Sequence, residues 1–209
     1  MILVTGGAGY IGSHVVLSLR EMGYEVVVLD DLSRGHEDLI FSPNFVECDI
    51  RDREAVDKAF TRFPVEAVLH FAARSLVGES MREPEAYYDV NVNGTLSLLS
   101  AMRDRGVNAL VFSSSAAVYG EPKRTPISEE DELRPTNVYG ETKLFIESML
   151  RRYHEAYGLN SVSLRYFNAA GADPEGRSGE DHDPETHLIP LVLDVALGRR
   201  KGITIFGTD

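Results

Sequence analysis

The 209-residue chain contains one cysteine, Cys48, and no tryptophan. A single thiol cannot close a disulfide within the chain, and a lone buried thiol is the ordinary state in a reducing compartment, so a cytoplasmic location is expected. Long apolar runs are missing too. None approaches the roughly 18 residues a membrane helix needs, and the opening Met1-Ile2-Leu3-Val4-Thr5 has neither the basic leader nor the apolar stretch of a signal peptide. Basic residues are scarce: 21 Lys and Arg against 33 Asp and Glu give a formal charge of −12. That balance repels a phosphate backbone at long range, and neither nucleic acid nor membrane is an expected partner. Apolar side chain is not lacking: 43% hydrophobic residues suffice for one large domain, or one domain with part of a second.

Short β-branched runs alternate with longer amphipathic stretches, the pattern of a parallel sheet covered by helices. Ile2–Thr5 reads as a buried strand. Ile11, Val15, Val16 and Leu19 recur at helical spacing until Gly23 stops the helix, and residues 25–30 form the second strand. The third strand is expected at 45–50, followed by a helix that Asp52 caps and a strand at 67–72. Pro84 suits the first turn of a long helix that Gly106 ends before a strand at 109–113. A helix over about 137–157 stops at Gly158, and the sixth strand follows at 161–167. Six strands with five crossovers make a doubly wound, Rossmann-type α/β sheet. Residues 170–185, rich in Gly, Asp, Glu and Pro, read as a long loop ahead of a helix at 187–197 and a strand at 203–206.

Gly7-Ala8-Gly9-Tyr10-Ile11-Gly12 satisfies G-x-G-x-x-G directly after a strand and at the opening of a helix. There the glycines permit a tight turn, backbone approach to a pyrophosphate and close helix–strand packing, while N–H groups and the helix dipole hold the anion. Asp30 ends the second strand 18 residues after Gly12, near the ~20 expected of a carboxylate that accepts both adenosine ribose hydroxyls. It would repel a 2′-phosphate, so NAD is expected over NADP although Arg34 lies four residues on. Asp31 reads as a solvated neighbour. Asp49, followed by Ile50, is placed either to bracket the adenine edge or to cap the next helix.

Two Y-x-x-x-K patterns occur. Tyr139 and Lys143 begin a periodic helix, which puts phenol and ammonium on one face, where a fixed cation favours the phenolate that can move a proton from a hydroxyl. Between Tyr119 and Lys123, Gly120 and Pro122 forbid such a helix. Ser113-Ser114-Ser115 caps the fifth strand at the carboxyl edge of the sheet, where ligands bind, so at least one hydroxyl should face the crevice of Tyr139. His182 and His187, beside Asp181, Asp183 and Glu185, match no known ligand spacing; a solvated loop without metal is expected. His14 and His70 read as hydrogen-bonded structural residues.

The stretches Thr5-Gly6-Gly7-Ala8-Gly9-Tyr10-Ile11-Gly12-Ser13-His14, Leu29-Asp30-Asp31-Leu32, His70-Phe71-Ala72-Ala73, Val77-Gly78-Glu79-Ser80, Asn91-Val92-Asn93-Gly94-Thr95, Ser113-Ser114-Ser115-Ala116-Ala117-Val118-Tyr119-Gly120, Tyr139 with Lys143, and Tyr166-Phe167-Asn168 resemble the extended short-chain dehydrogenase/reductase family. The resemblance runs from Met1 to Asp209 and implies a tightly held NAD and interconversion of UDP-glucose and UDP-galactose without net oxidation. By this resemblance, Tyr139 takes the proton of the sugar 4-hydroxyl while hydride leaves C4 for the nicotinamide. Ser115 bonds that oxygen, and Lys143 holds the ribose and depresses the tyrosine pKa. The 4-keto sugar then turns over and receives the hydride on its other face. Cofactor contacts are implied at Gly6, Gly9, Tyr10, Ile11, Gly12, Asp30, Asp31, Leu32, Ser33, Asp49, Ile50, Phe71, Ala72, Ala73, Arg74, Asn91, Ser113 and Phe167. Contacts to the UDP-sugar are implied at Asn168, His187, Leu188, Thr204, Ile205 and Phe206.

Three departures accompany the resemblance. Ala116-Ala117 stands where related dehydratases carry an Asp-Glu pair, Val90 stands where some epimerases have a second asparagine, and relatives continue for roughly a hundred residues as a substrate lobe. Residues 1–168 are expected to form the NAD-binding domain and 169–209 the beginning of that lobe. A homodimer is an assembly the resemblance allows. The alternatives are another nucleotide-sugar reductase or dehydratase of the same family and a non-catalytic dinucleotide-binding module.

Overall fold

A computed structural model describes residues 1–182 and 184–205. Six strands, β1 (Ile2–Thr5), β2 (Val26–Asp30), β3 (Asn44–Glu47), β4 (Ala67–His70), β5 (Ala109–Ser115) and β6 (Asn160–Tyr166), pair in parallel in the order β3-β2-β1-β4-β5-β6. The order reverses between β1 and β4, and the carboxyl ends of all six strands share one edge. That is where an open α/β sheet leaves a ligand crevice. All five residues of β2 are buried, as an interior parallel strand requires.

Successive strand residues point to opposite faces, so Leu3 and Val4 enter different clusters. Leu3, Val27 and Leu29 pack with Val56, Phe60, Leu98, Met102 and Ile146 from α2 (Arg53–Arg62), α5 (Gly94–Asp104) and α6 (Val138–Tyr157). Val4, Val26 and Val28 pack with Val16 of α1 (Tyr10–Glu21). Two helix starts are fixed by side-chain caps of about 1 kcal/mol each: Asp52 Oδ1 accepts from Ala55 N at 3.0 Å, and Asn137 Oδ1 from Gly140 N at 2.8 Å. Gly158, left-handed at φ 73°, ends α6.

The expected long helix from Pro84 is α4 (Pro84–Tyr87) joined to α5 through a π turn at Tyr88–Asn93, after a short α3 (Val77–Ser80). Four of the five crossovers are α-helical; the β2–β3 connection carries only a 3₁₀ turn at Glu37–Leu39. β3 ends at Glu47 rather than 50 because its partner β2 ends at Asp30, and Asp30↔Glu47 is the last register pair. Conversely, β5 runs on to Ser115 because β6 accompanies it as far as Ser115↔Tyr166, so the serine run is the end of the strand and not a cap upon it.

The chain divides into two units, Met1–Asn168 and Ala169–Asp209. The second holds α7 (Leu188–Ala196), with Leu188, Ile189, Val192 and Leu193 exposed. Residues 203–205 form no strand; Ile203 and Ile205 are exposed and have no partner strand among the described residues. Phe206 lies outside the described residues. No described helix is long and apolar enough to cross a membrane.

Candidate active site

The glycine loop joins β1 to α1, whose first turn has no side-chain cap and no acidic residue, so its positive end stands open to an anion. Three glycines are demanded by the fold. A Cβ on Gly6 (φ +69°) would lie 2.5 Å from Ala72 N, one on Gly7 2.9 Å from Val28 Cγ1, and one on Gly12 2.0 Å from Gly6 O. Gly9 is different: its Cβ would meet only Gly6 O, at 3.4 Å. The space before it is where a pyrophosphate can approach the backbone, and Tyr10 and Ile11 begin the helix there.

Asp30 ends β2 with its carboxylate buried. Oδ2 accepts from Ala8 N at 3.0 Å and Oδ1 from Leu32 N at 3.0 Å, with Leu32 in the left-handed region at φ 57°. Burial raises the Asp30 pKa, and the backbone hydrogen bonds pull it back. Each oxygen keeps a second lone pair, so the pair can still accept two ribose hydroxyls. Asp31 and Ser33 bond one another at 2.6 Å on the surface. Asp49 lies past the end of β3 and binds Arg51, which holds its carboxyl below the usual range; Ile50 beside it is buried.

Tyr139 lies in the first turn of α6, its backbone N donating to Ser80 Oγ at 3.2 Å. Burial pushes the phenol above its usual pKa, and a hydrogen bond with the Ser115 side chain acts in the opposite direction. One turn on, Lys143 is 3% exposed. Its Nζ donates to Ser113 O at 2.8 Å, stands 4.9 Å above the Phe112 ring and lies 5.6 Å from the centre of the Tyr139 ring. Desolvation lowers its pKa to about 7. Of the three serines, Ser115 alone turns its hydroxyl to the tyrosine; Ser114 faces the other way and donates to Glu147 Oε1 at 2.6 Å. In the rejected pair, Tyr119 accepts from Arg165 Nη1 and Lys123 pairs with Glu132.

Asn91, turned inward by the π segment, accepts from Arg74 N at 2.8 Å and donates to Arg74 O and Thr142 Oγ1, each at 3.0 Å. Its amide therefore ties the 71–74 loop to α6 beside the tyrosine. Phe71 N, in the same loop, donates to Thr5 O, while Ala72 packs on Gly6 and Ala73 lies between them and Arg74. Sequence reasoning misses Thr142, an isolated helix hydroxyl with no local signal, and assigns no role to Ser80 or Thr95, although both lie in stretches that carry the family resemblance. His70 bonds Thr5 Oγ1 at 2.7 Å and Thr95 Oγ1 at 2.8 Å. The expectation for His14 fails: its Nε2 has no hydrogen-bond partner among the described residues, and the ring instead meets Tyr10 edge-on at 5.3 Å.

Phe167 and Asn168 follow β6 and are exposed. In the second unit, His187 caps α7, Leu188 begins it, and Thr204 and Ile205 are exposed. An open apolar recess of about 720 Å³, lined by Ala67, Ala109, Leu110, Leu159 and Val162, lies at the amino edge of the sheet, opposite the crevice of Tyr139. Arg151, His154 and Glu155 also line it, but Tyr139, Ser115, Lys143 and Asp30 do not.

Comparison with known proteins bears on the family and the fold. The chain matches the NAD dependent epimerase/dehydratase family over residues 2–209. It is 58% identical over 208 residues to the UDP-glucose 4-epimerase of Halalkalibacterium halodurans, covering 100% of this chain and 62% of that protein. Its structure is similar to that of UDP-glucose 4-epimerase from Brucella ovis in complex with NAD, with TM-score 0.94 and 50% identity over 97% of this chain and 62% of that one. It is also similar to the Stenotrophomonas maltophila enzyme with bound NAD and formylated UDP-arabinopyranose, with TM-score 0.94 and 40% identity over 99% of this chain and 64% of that one. The chain thus spans about three-fifths of the length of these relatives. A family match over residues 2–209, together with relatives as much as 58% identical across the chain, establishes that this chain belongs to the NAD dependent epimerase/dehydratase family.

Proposed function

We propose that this chain carries the NAD-binding and catalytic part of an epimerase that interconverts UDP-glucose and UDP-galactose. The observation that carries the reading is the meeting of Tyr139, Ser115 and Lys143 at the carboxyl edge of β5, on a sheet whose glycine loop and Asp30 suit a dinucleotide without a 2′-phosphate. Bound NAD supplies the hydride acceptor, and in the return step the donor, at the sugar C4. The Tyr139 phenolate takes the proton of the 4-hydroxyl, leaving a 4-keto sugar, and returns it when the opposite face is reduced. Ser115 holds the reacting oxygen in line with the phenol. Lys143, with its Nζ 5.6 Å from the centre of the Tyr139 ring, is placed to hold the ribose and, when charged, to stabilise the phenolate. Ala116 and Ala117 offer no acid to expel a C6 hydroxyl, which favours epimerisation over dehydration.

In this reading, residues 1–168 hold the cofactor, and Asn168, His187, Leu188, Thr204 and Ile205 belong to the UDP-sugar side. A reducing, cytoplasmic setting is supported by Cys48, whose buried thiol is pushed up to about 11 and is inert. Association into a homodimer belongs to the same proposal, supported by the exposed apolar side chains of α7. The test is Tyr139→Phe in the protein carrying this chain. Interconversion of the two UDP-sugars should fall by about 10² to 10⁴ while NAD affinity is retained. Wild-type turnover in the variant, or net accumulation of NADH in the parent, would overturn the reading.

A further inference from the structure

Within the second unit, residues 180–187 gather four side chains whose ligand atoms all lie within 4.8 Å of one another: Glu180, His182, Glu185 and His187. His187 Nδ1 stands 2.7 Å from Glu180 Oε1 and 2.9 Å from Glu185 Oε1. His182 Nδ1 is 3.5 Å and 3.8 Å from oxygens of the same two glutamates. The carboxylates are well shielded, with side-chain exposures of 10% for Glu180 and 18% for Glu185. Spacing alone predicts no metal here, because E-x-H-x-x-E-x-H fits no familiar ligand pattern; the fold of the loop is what brings the four groups together.

We infer that these four groups form a binding site for a divalent transition-metal ion, with two imidazole nitrogens and two carboxylate oxygens as ligands. Two shielded carboxylates side by side repel unless positive charge stands between them. Among the described residues, their ion-pair partners are these two histidines alone. A divalent ion neutralises both carboxylates and takes each imidazole as a neutral ligand. Donors about 2.0–2.1 Å from a tetrahedral ion lie ~3.3 Å from one another. The four imidazole–carboxylate separations straddle that value within roughly 0.6 Å, a gap that side-chain rotation can close. Of the two short contacts on His187 Nδ1, the one to Glu185 Oε1 is a hydrogen bond whose proton occupies the place the ion would take, whereas Glu180 Oε1 is buried with no hydrogen-bond partner among the described residues. Mixed nitrogen and oxygen donors select zinc, cobalt or nickel over magnesium and calcium, which favour all-oxygen shells. All four ligands come from one short segment, so little chain entropy opposes closure. The ion would clip the loop just ahead of α7, whose N-cap is His187. One of its ligands, His187, is also among the residues assigned to the UDP-sugar side, but the proton and hydride transfers at the sugar C4 do not draw on the ion.

The experiment is titration of the chelator-treated full chain with Co²⁺, followed by optical absorption and by displacement with Zn²⁺. One equivalent should bind with the intense visible bands of four-coordinate cobalt, Zn²⁺ should displace it, and Mg²⁺ should not. His182→Ala and, separately, Glu180→Gln should each weaken binding by about tenfold or more, with unchanged far-ultraviolet circular dichroism showing that the fold survives. Absence of stoichiometric cobalt binding, cobalt readily displaced by Mg²⁺, or affinity unaltered in both variants would overturn the proposal and leave a hydrogen-bonded histidine–glutamate cluster only.

Discussion

Gly9 and Gly12 are only three residues apart, at the N-cap and in the first turn of α1, yet they answer to different demands. Gly12→Ala would drive its Cβ into Gly6 O and is expected to abolish folding. Gly9→Ala meets ordinary contact only and should cost about 1 kcal/mol, the penalty for alanine at a helix N-cap. Its methyl group, however, enters the space a pyrophosphate needs, so NAD affinity should fall by about tenfold or more, roughly 1.4 kcal/mol. Calorimetry on a variant with a near-normal melting temperature decides this; undiminished NAD affinity would move the pyrophosphate elsewhere. His70 makes a separate prediction. Buried between two threonines, with its pKa lowered to about 3 mainly by desolvation and secondly by Lys143, it stays neutral in the fold and takes up a proton on unfolding. Its contribution is therefore complete above pH ~6.5 and declines by up to about 1.4 kcal/mol per unit as pH falls toward 3. Urea midpoints at pH 7 and pH 5 should separate more in the parent chain than in His70→Gln; equal separation would reject it. At this scale the motif residues were legible because each requirement is local: a turn, a strand end, one helical turn. Ser80, Thr142 and the hydrogen bonds of Asn91 were not, because their partners lie far along the chain.

Between elements, the least legible feature is the one that joins α6 to β5 and β6. The apolar spacing of Ile146, Met149 and Leu150 announces the helix, but it says nothing of the glutamate among them. Glu147 is buried, accepts from Ser114 Oγ, and binds Arg165 through Nε at 3.0 Å and Nη2 at 2.7 Å. Arg165 reaches on to the hydroxyl of Tyr119. Because Arg165 sits on β6, only the assembled sheet reveals the pair. Glu147→Ala should cost about 3 kcal/mol, chiefly by leaving the partly shielded guanidinium uncompensated. Glu147→Met combined with Arg165→Met should be less destabilised than the sum of the single changes, as denaturant midpoints can measure. Additive losses would mean that the two residues act independently. Strand ends show the same limit. Whether β3 stops at Glu47 and β5 reaches Ser115 depends on how far each neighbour extends, which no property of the strand itself reports.

Across the molecule, packing is uneven in a way that bears on ligand binding. Met1–Asn168 contains both apolar clusters, the whole sheet and every group assigned to the cofactor. None of the described residues of the unit after it belongs to those clusters, and its helix leaves Leu188 67% and Leu193 55% exposed. Local opening requires little free energy where few apolar contacts are lost, so amide exchange should be slow through β1, β2, β4, β5 and α6 and fast through 169–205. NAD should widen the contrast. At 100 times its dissociation constant, a ligand that binds only the folded form adds about 2.7 kcal/mol, and that protection should appear in the first unit, where Asp30, the glycine loop and Lys143 lie. The residues on the UDP-sugar side fall largely in the second unit, with Leu188 and Ile205 mostly exposed. UDP-glucose added to the 209-residue chain after NAD should therefore bring little further protection to 169–205. Hydrogen exchange with NAD alone, and then with both ligands, separates the two contributions. Equal protection of the two units before any ligand is added, or strong protection of 169–205 by UDP-glucose, would show the second unit to be a preformed half of the sugar site and the division of roles between the units to be wrong.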